Sequence, residues 1–411
     1  MNQQNSVIIV GAGMVGLASA LALAQQGFAV TLLEANPDFA PTLPSPTCPF
    51  DTRVVAITRA SQHFLDNCKV WEAINNTRSC AYQSIKVWDS EADGLIQFWA
   101  DDFLEPDLGH IIEQWVITGA LWKALQSYDI TLKTGVTLKQ LRQQTQTVEV
   151  ILASGEPLSA QLVIGADGAE STLRALSDID SRGWAYDQSA IVATVKGEKS
   201  HQYTAFQRFS SEGPLALLPL AQANTSSIVW TCPPAKAALL MQMEPAAFNQ
   251  KLTQESEGVM GALHLDSAPK CFALKTHHAK HYARSRCVLV GDAAHTLHPL
   301  AGQGVNLGFL DVAALVTQLI DAKKQGQDIG ESALLKRYER QRRIHNQTMI
   351  WAMELFKRGF SSKIPFIQHL RNQGLNWVDQ SIPLKRIFAN IALGNWGAIP
   401  SLAKKRVTGL V

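Results

Sequence analysis

Short apolar runs of strand length alternate with stretches of helical spacing. Ser6-Val7-Ile8-Ile9-Val10 reads as a buried parallel strand, the Ala- and Leu-rich stretch to about Gln26 as a helix, and Phe28 to Leu33 as a second strand. Leu162-Val163-Ile164 and Cys287-Val288-Leu289-Val290 repeat the strand pattern, and each runs into a Gly- and Asp-containing turn before a helix start. Runs at Ile191 to Val195, Leu215 to Leu220 and Ile228 to Trp230 predict an antiparallel sheet. Helical spacing resumes at Val305 to Leu319 and at Leu334 to Phe356, with no internal repeat between. Pro37, Pro41, Pro44, Pro46 and Pro49 make Ala35 to Phe50 an irregular loop, placed to act as a lid.

The turn after the first strand carries chemistry. Gly11-Ala12-Gly13-Met14-Val15-Gly16 fits G-x-G-x-x-G in its strand–turn–helix context. Gly11 permits the tight turn, Gly13 lets backbone approach a pyrophosphate, and Gly16 lets helix pack on strand; Met14 lies inside the same loop. Glu34 closes the second strand where a ribose 2′-hydroxyl is expected, which suits FAD or NAD and repels a 2′-phosphate. These elements predict an α/β, two-domain (α+β) chain in which a Rossmann-like domain interleaves with an antiparallel-sheet substrate domain, followed by a C-terminal helical segment.

A second motif separates FAD from NAD. Gly291 and Asp292 end a strand, and Gly302, Gln303, Gly304, Val305 and Asn306 open a helix. An Asp at a strand end can accept hydrogen bonds from ribityl hydroxyls, which a nicotinamide cofactor lacks. The helix start offers unpaired N–H groups and a positive dipole end to an anionic flavin ring. Asp167 and Gly168 form a third element, which alone would read as a turn.

With all three in this order, the chain resembles the class A flavoprotein monooxygenases of the para-hydroxybenzoate hydroxylase fold. His298-Pro299-Leu300-Ala301-Gly302-Gln303-Gly304-Val305-Asn306-Leu307-Gly308 followed by Asp311 resembles the signature of the ubiquinone-biosynthesis hydroxylases, nearest their 2-octaprenylphenol hydroxylase branch. Leu108 to Glu113, Ser226 to Trp230 and Leu335 to Arg340 share the likeness, which covers residues 6 to 345. It implies bound FAD, NAD(P)H and O2 as co-substrates, and hydroxylation of a polyprenylated phenol, favoured at ring C5 of 2-octaprenylphenol. The alternatives are C6 or C1 by the same chemistry, a flavin-dependent reductase, or a non-catalytic flavoprotein subunit.

By that resemblance Asp292 binds the ribityl or pyrophosphate region, Pro299 flanks the isoalloxazine, and residues Gly302 to Asn306 place backbone donors at its pyrimidine edge. Asp167 and Gly168 lie beside the pyrophosphate, where NADPH is also admitted, and Arg53 lies near the flavin. No side chain is identified as a catalytic base; His295 and His298 read as loop-packing residues. Trp88, Trp99, Trp115, Phe206 and Phe209 read as core residues or the lining of an apolar tunnel. The expected FAD-binding domain comprises residues 1–83, 110–180 and 276–345, the substrate domain 84–109 and 181–275, and the C-terminal segment 346–411.

Composition bounds the partners. A chain of 411 residues with net charge +2 gives no case for nucleic acid. Six cysteines without a C-x-x-C pair suggest reduced thiols in a cytoplasmic protein. His277, His278 and His281 read as packing or exposed residues, and no metal is expected. Residues 7 to 33 carry no charge, but the glycine fingerprint explains that run, and no Lys or Arg precedes Arg53, so the basic start of a secretory signal is missing. From Asn346 onward the basic residues Lys357, Arg358, Lys363, Arg371, Lys385, Arg386, Lys404, Lys405 and Arg406 outnumber two acids, Glu354 and Asp379. That basic amphipathic segment suits an anionic inner-membrane surface or a biosynthetic complex; the plainer reading is helices covering the substrate domain.

Overall fold

A computed structural model describes residues 5–90, 94–296, 303–361, 394 and 397–405. Its first sheet has six strands in the order Ala283–Arg284, Cys287–Leu289, Leu162–Gly165, Ser6–Val10, Ala29–Glu34 and Thr131–Thr134. The last five are mutually parallel, with Ile9 beside Ile164 and Leu32, and Gly165 beside both Val10 and Leu289. Three strands read from sequence as ending in Gly or Asp motifs therefore finish side by side. Their turns emerge along one carboxyl edge, where open α/β sheets bind ligands.

Helix Met14–Ala24 covers this sheet with Leu17, Leu21 and Leu23 fully buried. Each such side chain contributes roughly 1.5–3 kcal/mol on leaving water. Helix Gln303–Lys324 packs in the same core through Phe309, Val312, Val316 and Leu319. By length and apolar composition it could cross a membrane, but 78% of that stretch is buried within the protein, as expected of a core helix.

The second sheet has nine strands among the described residues and is built on strand Ser181–Gly197. Sequence periodicity recovers only its Ile191 to Val195 portion. The first five residues are exposed and lack the alternation that one buried face imposes. One face packs Ile191, Val195, Trp230 and Leu217 against Phe248 and Leu252 of helix Pro245–Glu255. By strand alternation and register, Ala190, Val192, Val229, Ala216 and Leu218 point the other way. On that side Leu218 joins Phe50, Val54, Ala56, Ile85, Phe98 and Phe103.

Residues 397–405 return to the first domain. Asn67 Nδ2 donates to the Leu402 and Lys404 carbonyls at 2.8 and 3.0 Å, and Ala403 is buried. This end of the C-terminal segment covers cofactor-domain helices rather than the substrate domain, leaving Lys404 and Lys405 exposed. Lys363, Arg371, Lys385, Arg386 and Arg406 lie outside the described residues.

Candidate functional site

The glycine turn is held by sterics. Gly11 has φ +95° and donates its N–H to Leu33 O at 2.8 Å, and a Cβ there would lie 2.6 Å from Ala166 O. A Cβ at Gly16 would lie 1.8 Å from Gly11 O. Gly13 differs: it is exposed, and a Cβ there would meet nothing within 4 Å. It caps helix Met14–Ala24 with no side-chain hydrogen bond, so the first N–H groups, Met14 included, open onto free space. A pyrophosphate fits that combination of open cradle and unpaired donors.

Glu34 faces the same turn. Its Oε2 accepts the Ala12 N–H at 2.8 Å and its Oε1 the Asn36 N–H at 2.8 Å. Each oxygen keeps further acceptor capacity for a vicinal diol. Asp167 is engaged elsewhere: Ser171 Oγ donates to its Oδ1 at 2.5 Å and Leu173 N to its Oδ2 at 3.1 Å, so the carboxylate caps helix Thr172–Leu176. Gly168, with φ +80° and no atom within 4 Å of a Cβ position, supplies the open part of that turn.

Asp292 is solvent-accessible yet closely surrounded by protein. Burial pushes its carboxyl up, and the nearby His295 opposes the shift. Gly291, with φ +59°, makes the turn that delivers it. A Cβ at Gly304 would lie 3.8 Å from Asp292 Oδ1, which places the carboxyl before the first turn of helix Gln303–Lys324. Val305 is half-buried in that turn. Asn306 is buried, and its side chain is turned away: Nδ2 donates to Ala56 O at 2.7 Å, and Oδ1 accepts from Thr58 N at 3.0 Å. Its amide therefore clamps the helix to strand Val54–Ile57, and only its backbone remains for a cofactor. Pro299 and Gly302 lie outside the described residues, as does His298.

Arg53 leads into strand Val54–Ile57, which lies on a separate three-stranded sheet, and reaches across to the large sheet. Its guanidinium lies 5.2 Å from the ring centroid of Phe272, on strand Lys270–Ala279 of the large sheet. It is exposed and has no carboxylate partner among the described residues. Arg174, which motif reading passed over, links two cofactor turns by donating to Ala293 O at 2.9 Å and Ala169 O at 2.8 Å. Its place after the Asp167-Gly168 turn was the available signal.

The aromatic residues considered for a tunnel do not share one lining. Trp88 donates to Glu257, Trp115 donates to Glu113, Phe206 packs in the helix-covered core, Phe209 packs with Val87 and Ile96, and Trp99 is exposed. The three histidines also diverge: His277 meets Arg174, His278 meets Tyr282, and His281 meets Glu339. Among the described residues no group of three or more His, Cys, Asp or Glu side chains converges on a metal position.

Comparison with known proteins decides the family. A model of the FAD binding domain matches residues 4–352. The chain belongs to this family. Its members similar to the chain include the 3-demethoxyubiquinol 3-hydroxylase of Escherichia coli, 38% identical over 397 residues and covering 96% of this chain and 99% of that protein. The mitochondrial ubiquinone biosynthesis monooxygenase COQ6 of Rattus norvegicus is 34% identical over 427 residues, covering 92% and 89%. Among solved structures, p-nitrophenol 4-monooxygenase from Pseudomonas putida superposes with a TM-score of 0.76 at 18% identity, over 95% of this chain and 99% of that one. Anhydrotetracycline hydroxylase from Streptomyces rimosus gives 0.70 at 19% identity, over 95% and 75%. The family member described here is an FAD-dependent monooxygenase with the fold of the class A flavin enzymes, and FAD is its cofactor.

Proposed function

We propose that this monooxygenase hydroxylates a polyprenylated ring intermediate of ubiquinone biosynthesis. The observations that carry the reading are the convergence of Gly13, Glu34, Asp292 and Gly304 on one sheet edge and the 38% identity to a 3-demethoxyubiquinol 3-hydroxylase. The chain's own residues then have defined tasks. Gly13, Gly168 and the open helix start bind the pyrophosphate, Glu34 holds the adenosine ribose, and Asp292 takes ribityl hydroxyls. The backbone of Gln303, Gly304, Val305 and Asn306 offers N–H groups to the flavin ring. Bound FAD, reduced by NAD(P)H, supplies the activation of O2.

The apolar cluster of Phe50, Ile85, Phe98, Phe103 and Leu218 is the surface we assign to the ring, which it would shield from water. Each buried CH₂ of a prenyl tail adds about 0.8 kcal/mol. Arg53, an exposed cation beside Phe272 without a carboxylate partner among the described residues, is the group we assign to an anionic oxygen of substrate or nucleotide.

The ring position is read from relatives. The name of the 38% identical relative supports 3-hydroxylation of 3-demethoxyubiquinol, whereas the motif likeness favours C5 of 2-octaprenylphenol. Mass spectrometry of quinone intermediates after deletion of this gene alone separates the two. Accumulated 3-demethoxyubiquinol assigns the first reaction, accumulated octaprenylphenol the second, and an unchanged profile in a host without a second hydroxylase refutes both.

We further propose that the enzyme works at the cytoplasmic face of the inner membrane, alone or within a biosynthetic complex, through the basic C-terminal segment. Supporting this, on helix Ser332–Ser361, which leads into that segment, Arg337, Arg340, Ile344 and Trp351 share one exposed face by helical spacing. Flotation with anionic vesicles tests it; protein left at the bottom of the gradient would end the membrane reading.

A further inference from the structure

Beneath the Asp292 turn lies a polar network that cofactor binding does not account for. Asp311, on helix Gln303–Lys324, is fully buried. Its Oδ2 accepts the Gly291 N–H at 3.1 Å and His295 Nε2 at 2.6 Å. Its Oδ1 accepts Arg342 Nε at 2.7 Å and Asn346 Nδ2 at 3.0 Å. Arg342 is itself fully buried and donates to Asn346 Oδ1 at 2.9 Å. Asn346 reaches Tyr282 OH at 3.3 Å, and His278 Nε2 meets that hydroxyl at 2.8 Å. The imidazole and guanidinium beside Asp311 hold its carboxyl well below the usual range despite burial.

A buried ion pair is weak evidence for stability, since desolvation consumes most of the attraction. Its geometry is the informative part. Gly291 precedes Asp292 directly and His295 follows it by three residues, and both are anchored to the same oxygen of Asp311. The turn carrying Asp292 is thus pinned on either side by one atom.

We propose that Asp311 is the positioning residue of the cofactor loop, holding Asp292 before the helix start, and that Arg342 and Asn346 make helix Ser332–Ser361 a requirement of cofactor binding although neither side chain faces the site. The inference rests on the FAD reading of Asp292. Asparagine at position 311 is nearly isosteric, but in either amide orientation its NH₂ meets two donors: Gly291 and His295, or Arg342 and Asn346.

The test is a fluorescence titration of the apo full chain with FAD, alongside the melting temperature of each apo variant. Leu319→Ala, which opens a cavity in the same helix away from the network, serves as the stability control. Asp311→Asn is expected to raise the FAD Kd by about tenfold or more, the usual scale for a residue that orients a ligand-holding group. Leu319→Ala should change it by no more than about threefold at a similar loss of melting temperature. If the two lose affinity in proportion to stability, Asp311 is a core ion pair and the proposal is overturned.

Should Asp311→Asn not fold, His295→Gln and His295→Leu replace it. Glutamine keeps an N–H donor for Asp311 and should retain affinity that leucine loses; equal loss overturns the proposal. Wild-type protein that takes up no FAD would instead defeat the FAD reading, and this inference with it.

Discussion

The Glu34 carboxylate accepts the Ala12 amide at 2.8 Å, tying the end of the second strand to the glycine turn after the first. The contact uses one lone pair of an ionised group, so the acid both shapes the turn and stays available to a diol. Removing it costs the cofactor more than the fold. Glu34→Ala is expected to weaken FAD binding by about 1.5–3 kcal/mol, the scale of hydrogen bonds to charged groups. Equilibrium titration checks this, and an unchanged Kd would remove Glu34 from the site.

Gly13 and Gly16 should separate binding from folding. Gly13→Ala meets no protein atom within 4 Å, so apo stability should hold while FAD affinity falls. Gly16→Ala drives a methyl to 1.8 Å from Gly11 O, and both properties should fail. Thermal melts of the two apo proteins, paired with FAD titration, read the difference.

Asn306 should behave as a clamp. Asn306→Ala leaves the Thr58 amide and Ala56 carbonyl without their partner. A loss of about 1–3 kcal/mol follows for each buried group left unpaired. A lower urea midpoint with an unchanged m-value is the expected result.

Acid should destabilise the protein before its carboxylates protonate. Burial lowers His277, His278 and His345 to about 4, from 6.5 in the unfolded chain. Between those values the unfolded state binds more protons, so their contribution is complete above pH 6.5 and is lost as pH falls toward 4. Melting temperature measured across that window should fall, and His278→Gln should flatten the decline. A pH-independent melting temperature would contradict the desolvation of these half-buried rings.

The cofactor edge was legible because its signals are local. Gly11, Gly13, Gly16 and Glu34 lie within one strand–helix–strand unit, and Gly291 and Asp292 follow an unmistakable apolar strand. The network under Asp292 was not. Asp311 meets Arg342 and Asn346 from 31 and 35 positions away, and the helical spacing of Leu334 to Phe356 does not single Arg342 out from its neighbouring arginines. Asn306 was read for its backbone, while its side chain turned out to serve packing. Such roles depend on which helix face another element covers, and a single sequence does not state that.

Strand Ser181–Gly197 pairs along both arms of its bulge with Lys270–Ala279, and that partner joins His295–Thr296 beside the cofactor turn. The large sheet and the turn that carries Asp292 are thereby one continuous ribbon. A hinge between the large sheet and the Asp292 turn would have to tear main-chain hydrogen bonds, so any shift of that sheet is passed directly to the turn.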